Sequence, residues 1–428
     1  MVASQILSKV FEDQQSLATL LPIKSDIMLD PRERAFAQAL CFGVIRHYYS
    51  LNFILNMLLK KKLKKKDSDI KALILIGLYQ LDHMRTPAHA AVSASVESCK
   101  ELKKSWAKNL VNAVLRRYQR EHDKFPELIT VNDSAKYEHP AWLLDRLKDE
   151  YPQHWQSIIK ENNLPPPMSL RVNTRKTDRD SYLKKLQAAG IEAQPSNLNQ
   201  SGIVLTQPVS VEALPDFSEG HVSVQDLAAQ LAIPLLEPQA GERILDACSA
   251  PGGKLAHLLE TMPTLQEAVA IEKEPHRFKK LEATLERLGL SATLIQNDAR
   301  AIDDWWDKQL FDRILIDVPC SASGVIRRHP DIKFLRTAED IQNITVLQAE
   351  IINALWPLLS KGGKLLYITC SVFQAENDEQ ITAFTNKHND AHSIPIQANW
   401  GMATKYGRQI LPGDNAMDGF YYAQLQKT

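Results

Sequence analysis

From residue 236 onward the chain alternates short apolar runs with helical segments, and this alternation restricts the possible folds more than any other feature. Arg243 to Ala247 reads as a strand, with a helix opening near Gly253. Ala268 to Glu272 reads as the next strand, followed by a helix from Pro275 to Leu288. Thr293 to Gln296 and Arg313 to Val318 supply a third and a fourth, and a helix from Ala338 to Leu359 precedes a fifth, Lys364 to Thr369. Strands separated by helices imply a parallel sheet covered on both faces. The last apolar run, Gly419 to Leu425, has no long helix before it and is expected to be an antiparallel edge strand. In open α/β sheets of this kind, ligands bind outside the carboxyl ends of the strands.

The residues at those ends carry the chemistry. The first strand runs into Asp246-Ala247-Cys248-Ser249-Ala250-Pro251-Gly252-Gly253-Lys254. Small residues and two glycines let backbone approach a ligand, with a helix N-terminus behind them. The spacing is not that of a P-loop, since Leu255 stands where Ser or Thr is needed, nor is it G-x-G-x-x-G. Its position after the first strand is nevertheless where nucleotide-like cofactors sit. Glu272 ends the second strand, where an acid can hold two ribose hydroxyls, and Asp298 after the third could receive an adenine amino group. The fourth strand ends in Asp317, then Pro319-Cys320, and the fifth ends in Thr369-Cys370-Ser371. Cysteines are often only small buried hydrophobes. Two of them and an acid at strand ends, rather than in mid-strand, point instead to one shared crevice. These features fit S-adenosylmethionine at least as well as NAD. A dehydrogenase would explain Glu272 but leave the two cysteines without a joint task, whereas methyl transfer employs both. Spacing alone does not rank the two cysteines.

The rest of the chain reads as two further domains, as expected for 428 residues. Residues 1–140 read as all helix, with Phe36, Leu40, Val44, Tyr48, Leu51 and Leu55 recurring every three or four positions between Pro31 and Leu59. Asp30-Pro31 is a helix start signal, and Thr86-Pro87 repeats it before a helix from Ala88 to Leu102. Residues 141–235 read as a small α+β domain, and residues 236–428 as the catalytic domain. The net charge of +0 hides an asymmetry, because residues 1–140 hold 22 Lys+Arg against 15 Asp+Glu, a surplus of +7. The run Lys60 to Lys66 is either a solvated loop or a phosphate-tracking patch, and Lys103, Lys104, Lys108, Arg116, Arg117 and Arg120 form a second basic group. Arg171, Arg175, Lys176 and Arg179 either line a nucleic-acid path or stay solvated. Five cysteines with no CxxC pair suggest neither disulfides nor a metal site. With no apolar run of about 18 residues and no signal-peptide core, no membrane contact is expected and the cytoplasm is the expected compartment.

Four motifs occur in order: DACSAPGGK, NDAR, DVPCSASGVIRRHPDIK and ITCS. Together they resemble the RNA cytosine-C5 methyltransferases of the Nop2/Sun/Fmu superfamily. The helical region containing LVNAVLRR is similar to the NusB-like domain that precedes this module in bacterial members, which points to the 16S rRNA branch. The resemblance implies a Rossmann-like S-adenosylmethionine-dependent methyltransferase domain (α/β), preceded by an all-α NusB-like RNA-binding domain and a small α+β RNA-contacting domain. It implies attack on C6 of cytosine by Cys370 and a later step, proton removal and product release, assisted by Cys320. Asp317 is then expected to hydrogen-bond N3 and the exocyclic amine of the base. Lys254 is expected near the methionine end or the base, and Arg327, Arg328 and His329 at backbone phosphates. Cofactor binding is expected from Cys248, Ser249, Ala250, Pro251, Gly252, Gly253, Lys254, Glu272, Asp298 and Asp317, with S-adenosylhomocysteine as product. Glu272 departs from the more usual Asp, and Ser249 from the commoner Ala. The expected partner is 16S rRNA, as a single-stranded loop in free or partly assembled RNA, and a monomer is expected.

Overall fold

The computed structural model describes residues 1–21 and 30–428. They form two compact units, one of Met1–Leu164 with Ile326–Ala338, the other of Pro165–Val325 with Glu339–Thr428. The first unit thus extends beyond residue 140 and takes in a segment from far along the chain.

The first unit is helical. Helices Val2–Asp13, Pro31–Arg46, Tyr48–Leu58, Ser68–His83, Ala88–Glu101 and Lys108–Glu121 enclose one core. Ser68–His83 lies deepest, with Ile70, Leu73, Ile74, Leu75 and Leu78 all buried. Asp30 caps its helix as expected, its Oδ1 accepting from the backbone N–H of Arg32 and Glu33 at 2.8 Å, while Glu33 returns a bond to Asp30 N–H. The periodic run between Pro31 and Leu59 forms two helices, which meet at His47, at φ −106°, ψ 23°. Thr86 contributes no cap: the next helix starts after Pro87 without a side-chain bond.

The segment 326–338 is built into this unit. Asp331 accepts from Ser16 Oγ at 2.8 Å and Leu17 N–H at 2.9 Å. Lys333, 2% exposed, donates to the carbonyls of Arg46 and Glu138 and to Asn163 Oδ1. Phe334 packs among Phe11, Tyr48 and Tyr49. Arg327 is buried, 3.6 Å from Glu161. It therefore serves as a structural ion-pair partner and not as the backbone-phosphate contact expected of it together with Arg328 and His329.

The second unit holds two sheets. The smaller comprises β1 (Met168–Val172), β2 (Ala193–Pro195), β3 (Gly202–Leu205) and β4 (Val222–Val224), all antiparallel in the order β2-β3-β1-β4. Arg171 on β1 is fully buried and bidentate to Glu260, and it also donates to the Gly253 carbonyl at 2.7 Å. It ties the small sheet to the first turn of the helix Gly253–Thr261 and lines no nucleic-acid path. Arg179 likewise serves structure, donating to the carbonyls of Ser196 and Asn199.

The larger sheet contains β5 (Arg243–Ala247), β6 (Glu267–Ile271), β7 (Thr293–Ile295), β8 (Phe311–Asp317) and β9 (Leu359–Thr369), parallel in the order β9-β8-β5-β6-β7. It continues through β10 (Ala391–Ile394), β11 (Met402–Ala403), β12 (Gly407–Ile410) and β13 (Phe420–Lys427). β13 pairs antiparallel with β9 as expected, but it is no edge: β12 and β10 pair with its other side. Tyr421, Tyr422, Ala423 and Leu425 are accordingly all buried. A helix, Asp378–Lys387, also intervenes, one that the polar text between Ala375 and His388 did not advertise.

Candidate active site

The chain leaves β5 towards β6 and β7 on one side and returns to β8 and β9 on the other, so the strand order reverses between β5 and β8. A crevice forms at such a switch point because the two crossovers diverge. The glycine-containing loop after β5, Asp317 and Cys320 after β8, and Cys370 after β9 all emerge at this edge.

Cys320 and Cys370, fifty residues apart in sequence, bring their Sγ atoms to 3.3 Å, and both are free thiols. The Cys370 sulfur, and then burial, push the Cys320 thiol well up. Asp317 Oδ2 accepts from Lys254 Nζ at 2.5 Å. Burial opposes a charged Lys254, yet Asp317, with Asp246 and Cys370 behind it, outweighs burial and holds the ammonium above its ordinary value. Lys254 therefore reaches across from the β5 loop to the β8 end and orients the carboxylate.

Beneath the two sulfurs lies a carboxylate that the motifs did not reveal. Glu376, fully buried, accepts from Ser321 N–H at 2.7 Å and Ser321 Oγ at 2.5 Å. It also accepts from Ser371 Oγ at 2.6 Å and Gln348 Nε2 at 3.1 Å. Ser321 follows Cys320 and Ser371 follows Cys370, so one acid holds both cysteine turns. In the sequence Glu376 is one acid among polar neighbours, with no spacing that separates it from a solvated one. The turns are also joined by backbone: Gly324 N–H donates to the Cys370 carbonyl at 2.9 Å, and Gly419 N–H to the Gly324 carbonyl at 2.8 Å. A Cβ on Gly324 would lie 2.1 Å from the Gly419 carbonyl oxygen, so only glycine permits this approach.

On the other side of β5 is a cavity of 240 Å³, lined among others by Cys248, Glu272, Arg277, Asp298, Pro319 and Ile351. Its residues fit an adenosine-bearing cofactor. Glu272, 3% exposed, is held by the backbone N–H groups of Ala250 and Glu274. Gly252 in the loop has φ 96°, a conformation in which glycine is strongly favoured. Asp246 is buried. Its Oδ2 accepts from Ser249 Oγ at 2.8 Å, while its Oδ1 has no partner among the described residues. Burial pushes its pKa up to about 7. An unpartnered buried carboxylate oxygen at the start of a glycine loop suits a cationic amine. Asp298 lines the same cavity but is engaged by Arg300 and, at 3.2 Å, by Lys273; Arg300 holds its pKa well below the usual carboxylate range. Cys248, at φ 61°, is half-buried and pushed above the ordinary thiol range by desolvation, which makes it a wall rather than a nucleophile. Ser249, Ala250, Pro251, Gly253 and Lys254 complete the loop and the first turn of the helix behind it. Among the described residues, no helix is long and apolar enough to cross a membrane.

A family profile described as 16S rRNA methyltransferase RsmB/F matches residues 233–426. Profiles for a Methyltr_RsmF/B-like, ferredoxin-like domain and for the NusB family match residues 139–212 and 1–120. Ribosomal RNA small subunit methyltransferase B of Pseudomonas syringae pv. tomato is 46% identical over 432 residues, covering 100% of this chain and 96% of that protein. The protein of the same name from Vibrio cholerae serotype O1 is 47% identical over 428 residues, covering 99% and 96%. Among solved structures, that of PH0851 shares the fold with a TM-score of 0.84 at 22% identity, over 100% of this chain and 98% of that one. NSun6 from Pyrococcus horikoshii, solved with SFG, shares it with a TM-score of 0.62 at 22% identity, over 67% and 98%.

Proposed function

The chain belongs to the 16S rRNA methyltransferase RsmB/F family, and from that membership we propose that it methylates C5 of one cytosine in 16S rRNA through a covalent cysteine adduct. The methyl donor is S-adenosylmethionine, which supplies an electrophilic methyl on a sulfonium. The observation that carries the reading is the pair of sulfurs at 3.3 Å beside the Lys254–Asp317 ion pair.

C5 of cytosine is a poor nucleophile while the ring is aromatic. The thiolate of Cys370 adds to C6, and the resulting enamine-like C5 displaces the methyl from sulfur. The C5 proton then leaves, its electron pair restores the C5–C6 double bond, and the C6–S bond breaks to expel Cys370. Two thiols at this distance cannot easily both ionise, because the second charge would face the first. What supports Cys370 as the nucleophile is the likeness of Thr369-Cys370-Ser371 and Pro319-Cys320 to the family's two cysteine motifs; with Cys370 at 3.3 Å, its sulfur opposes loss of the Cys320 proton. Once Cys370 is consumed in a neutral thioether, that influence is gone, and Cys320 is freed to assist removal of the C5 proton. Asp317, held at Oδ2 by Lys254, accepts from the exocyclic amine of cytosine. Uracil would turn a carbonyl oxygen towards the same carboxylate and be rejected. The target base must be open on both faces of its C5–C6 bond, which fits a single-stranded loop or a flipped nucleotide.

Two experiments test this. Bisulfite sequencing of 16S rRNA from cells with and without the gene should show one protected cytosine that disappears in its absence. With purified protein, Cys320→Ala should methylate, then stall as a protein–RNA adduct that survives denaturing electrophoresis and requires S-adenosylmethionine. Cys370→Ala should be inactive and trap nothing. The reverse pattern would exchange the two roles, and full turnover in both variants would sink the covalent mechanism.

A further inference from the structure

We infer that the groove beside the lysine loop of the first unit is a binding site for single-stranded RNA, one base stacking on Trp106 and the flanking phosphates meeting the lysines. This rests on reading the chain as an enzyme of RNA. The groove, 740 Å³ in volume, lies between the loop that follows helix Tyr48–Leu58 and the helix Lys108–Glu121. Leu58, Leu110 and Val114 contribute apolar lining, and Lys60, Lys61, Lys62, Lys64 and Lys66 all border it. Trp106, on the turn Ser105–Ala107 that precedes the helix, also lines it and is 57% exposed.

Three observations favour a built site over a solvated loop. The loop is pinned at both ends: Arg117 donates to the Leu58 carbonyl at 3.2 Å, and Lys104 to the Lys66 carbonyl at 2.6 Å. The acid in the lining, Asp67, is already paired with Lys104 at 3.0 Å, and with Asp69 at 2.7 Å from the same ammonium the trio carries one net negative charge against the five bordering lysines. The bordering lysines, in contrast, have no ion-pair partner among the described residues. Their neighbour Lys65, which does not line the groove, pairs with Glu12 at 3.6 Å. The result is a ridge of uncompensated positive charge beside an indole and an apolar floor. A nucleotide in a single strand offers the complement, a flat π-face flanked by regularly spaced anions. A duplex hides its base faces, and an acidic peptide carries the charge without the planar ring.

The test uses the full-length protein and fluorescence anisotropy of a labelled single-stranded oligoribonucleotide, compared with its duplex. Trp106→Ala should weaken single-strand binding about tenfold, within the range for loss of a stacking ring. Trp106→Phe should restore most of it. Replacing Lys60, Lys61 and Lys62 together by Gln should reduce the slope of log affinity against log salt by about 2, at about 0.7 per phosphate. Circular dichroism and melting should not change, since all four side chains are exposed; if Trp106→Ala misfolds, Trp106→Phe and the lysine variant carry the test. Unchanged affinity and slope, or equal binding of duplex, overturns the site, as does a tighter response to an acidic peptide than to the single strand. Transfer of labelled methyl groups to 16S rRNA by the wild type is measured alongside. Methyl transfer with unaffected groove variants defeats the groove alone, whereas groove-dependent RNA binding without methyl transfer defeats the catalytic reading alone.

Discussion

Ser321 and Ser371, each following a cysteine, donate to the same buried carboxylate, so Glu376 ties together the two turns that carry the sulfurs. Truncating it to Ala would strand four buried donors at about 1–3 kcal/mol each and report only on folding. Glu376→Gln keeps the shape but removes the charge, and its amide turns donors towards donors. We expect this variant to lose kcat with little change in KM for S-adenosylmethionine. Glu376 also helps hold the Cys320 thiol up, behind Cys370 and burial, so the thiol should alkylate with iodoacetamide at lower pH in the variant. An unchanged alkylation profile with a fully folded, slow enzyme would show that the charge is irrelevant to the sulfur. At the cofactor, Glu272→Ala should weaken S-adenosylmethionine by about 1.5–3 kcal/mol, the scale of a hydrogen bond to a charged group. Calorimetry giving the wild-type affinity would remove Glu272 from the site.

At the scale of elements, the site depends on three strand ends staying in register. β8 and β9 are parallel neighbours, with Ile316 opposite Tyr367 and Asp317 opposite Ile368, which brings the residues after them to one edge. β13 buttresses β9 from the far side, with Thr369 opposite Tyr421. Gly324 and Gly419 then close the turn after β8 onto the turn before β13. Gly324→Ala puts a methyl where the Gly419 carbonyl oxygen sits, and the backbone must move because no flexible side chain is there to give way. Because Gly324 N–H also holds the Cys370 carbonyl, the displacement reaches the proposed nucleophile. The expected outcome is a folded protein that binds S-adenosylmethionine normally and transfers methyl groups at a small fraction of the wild-type rate. Wild-type turnover in this variant would mean that the turn tolerates movement and does not position Cys370.

At the scale of the whole molecule, the motif from Asp317 to Lys333 is divided between two units. The residues up to Val325 belong with the strands, and Ile326–Ala338 with the helices. Lys333 anchors that segment. Its three oxygen partners match the three donors of an ammonium, while burial pushes its pKa down to about 7. An exposed, unfolded lysine keeps its proton up to its ordinary value of 10.5. Between about pH 7 and 10.5 the unfolded chain therefore binds more protons at this position than the folded one, and Lys333 makes stability rise with pH over that window. Below about pH 7 both states are charged, and the burial penalty is complete and constant. Lys333→Met removes the titration and leaves three oxygens without a donor. It should unfold at lower urea than the wild type, by an amount that grows from pH 7 to pH 10. A gap that does not widen would place the folded pKa near its ordinary value.

The order of strands and helices, the parallel sheet, and the grouping of Cys320, Cys370, Asp317 and the glycine loop at one edge were legible in the sequence. Each follows from local pattern: apolar period, glycine at a turn, and the rule that ligands meet the carboxyl ends. What the sequence could not express is pairing across long separations. Whether β13 lies at an edge depends on β10 and β12 joining it, and short strands in polar text carry little period to announce that. Arg171 and Arg327 look like Arg175 and Arg328 in sequence, yet Glu260 and Glu161 draw the first two into the interior. Glu376 gained its place because two serines fifty residues apart needed one buried acceptor. Burial and partnership are properties of the packed chain, and only the tertiary structure decides which of several identical charges is solvated and which holds the site together.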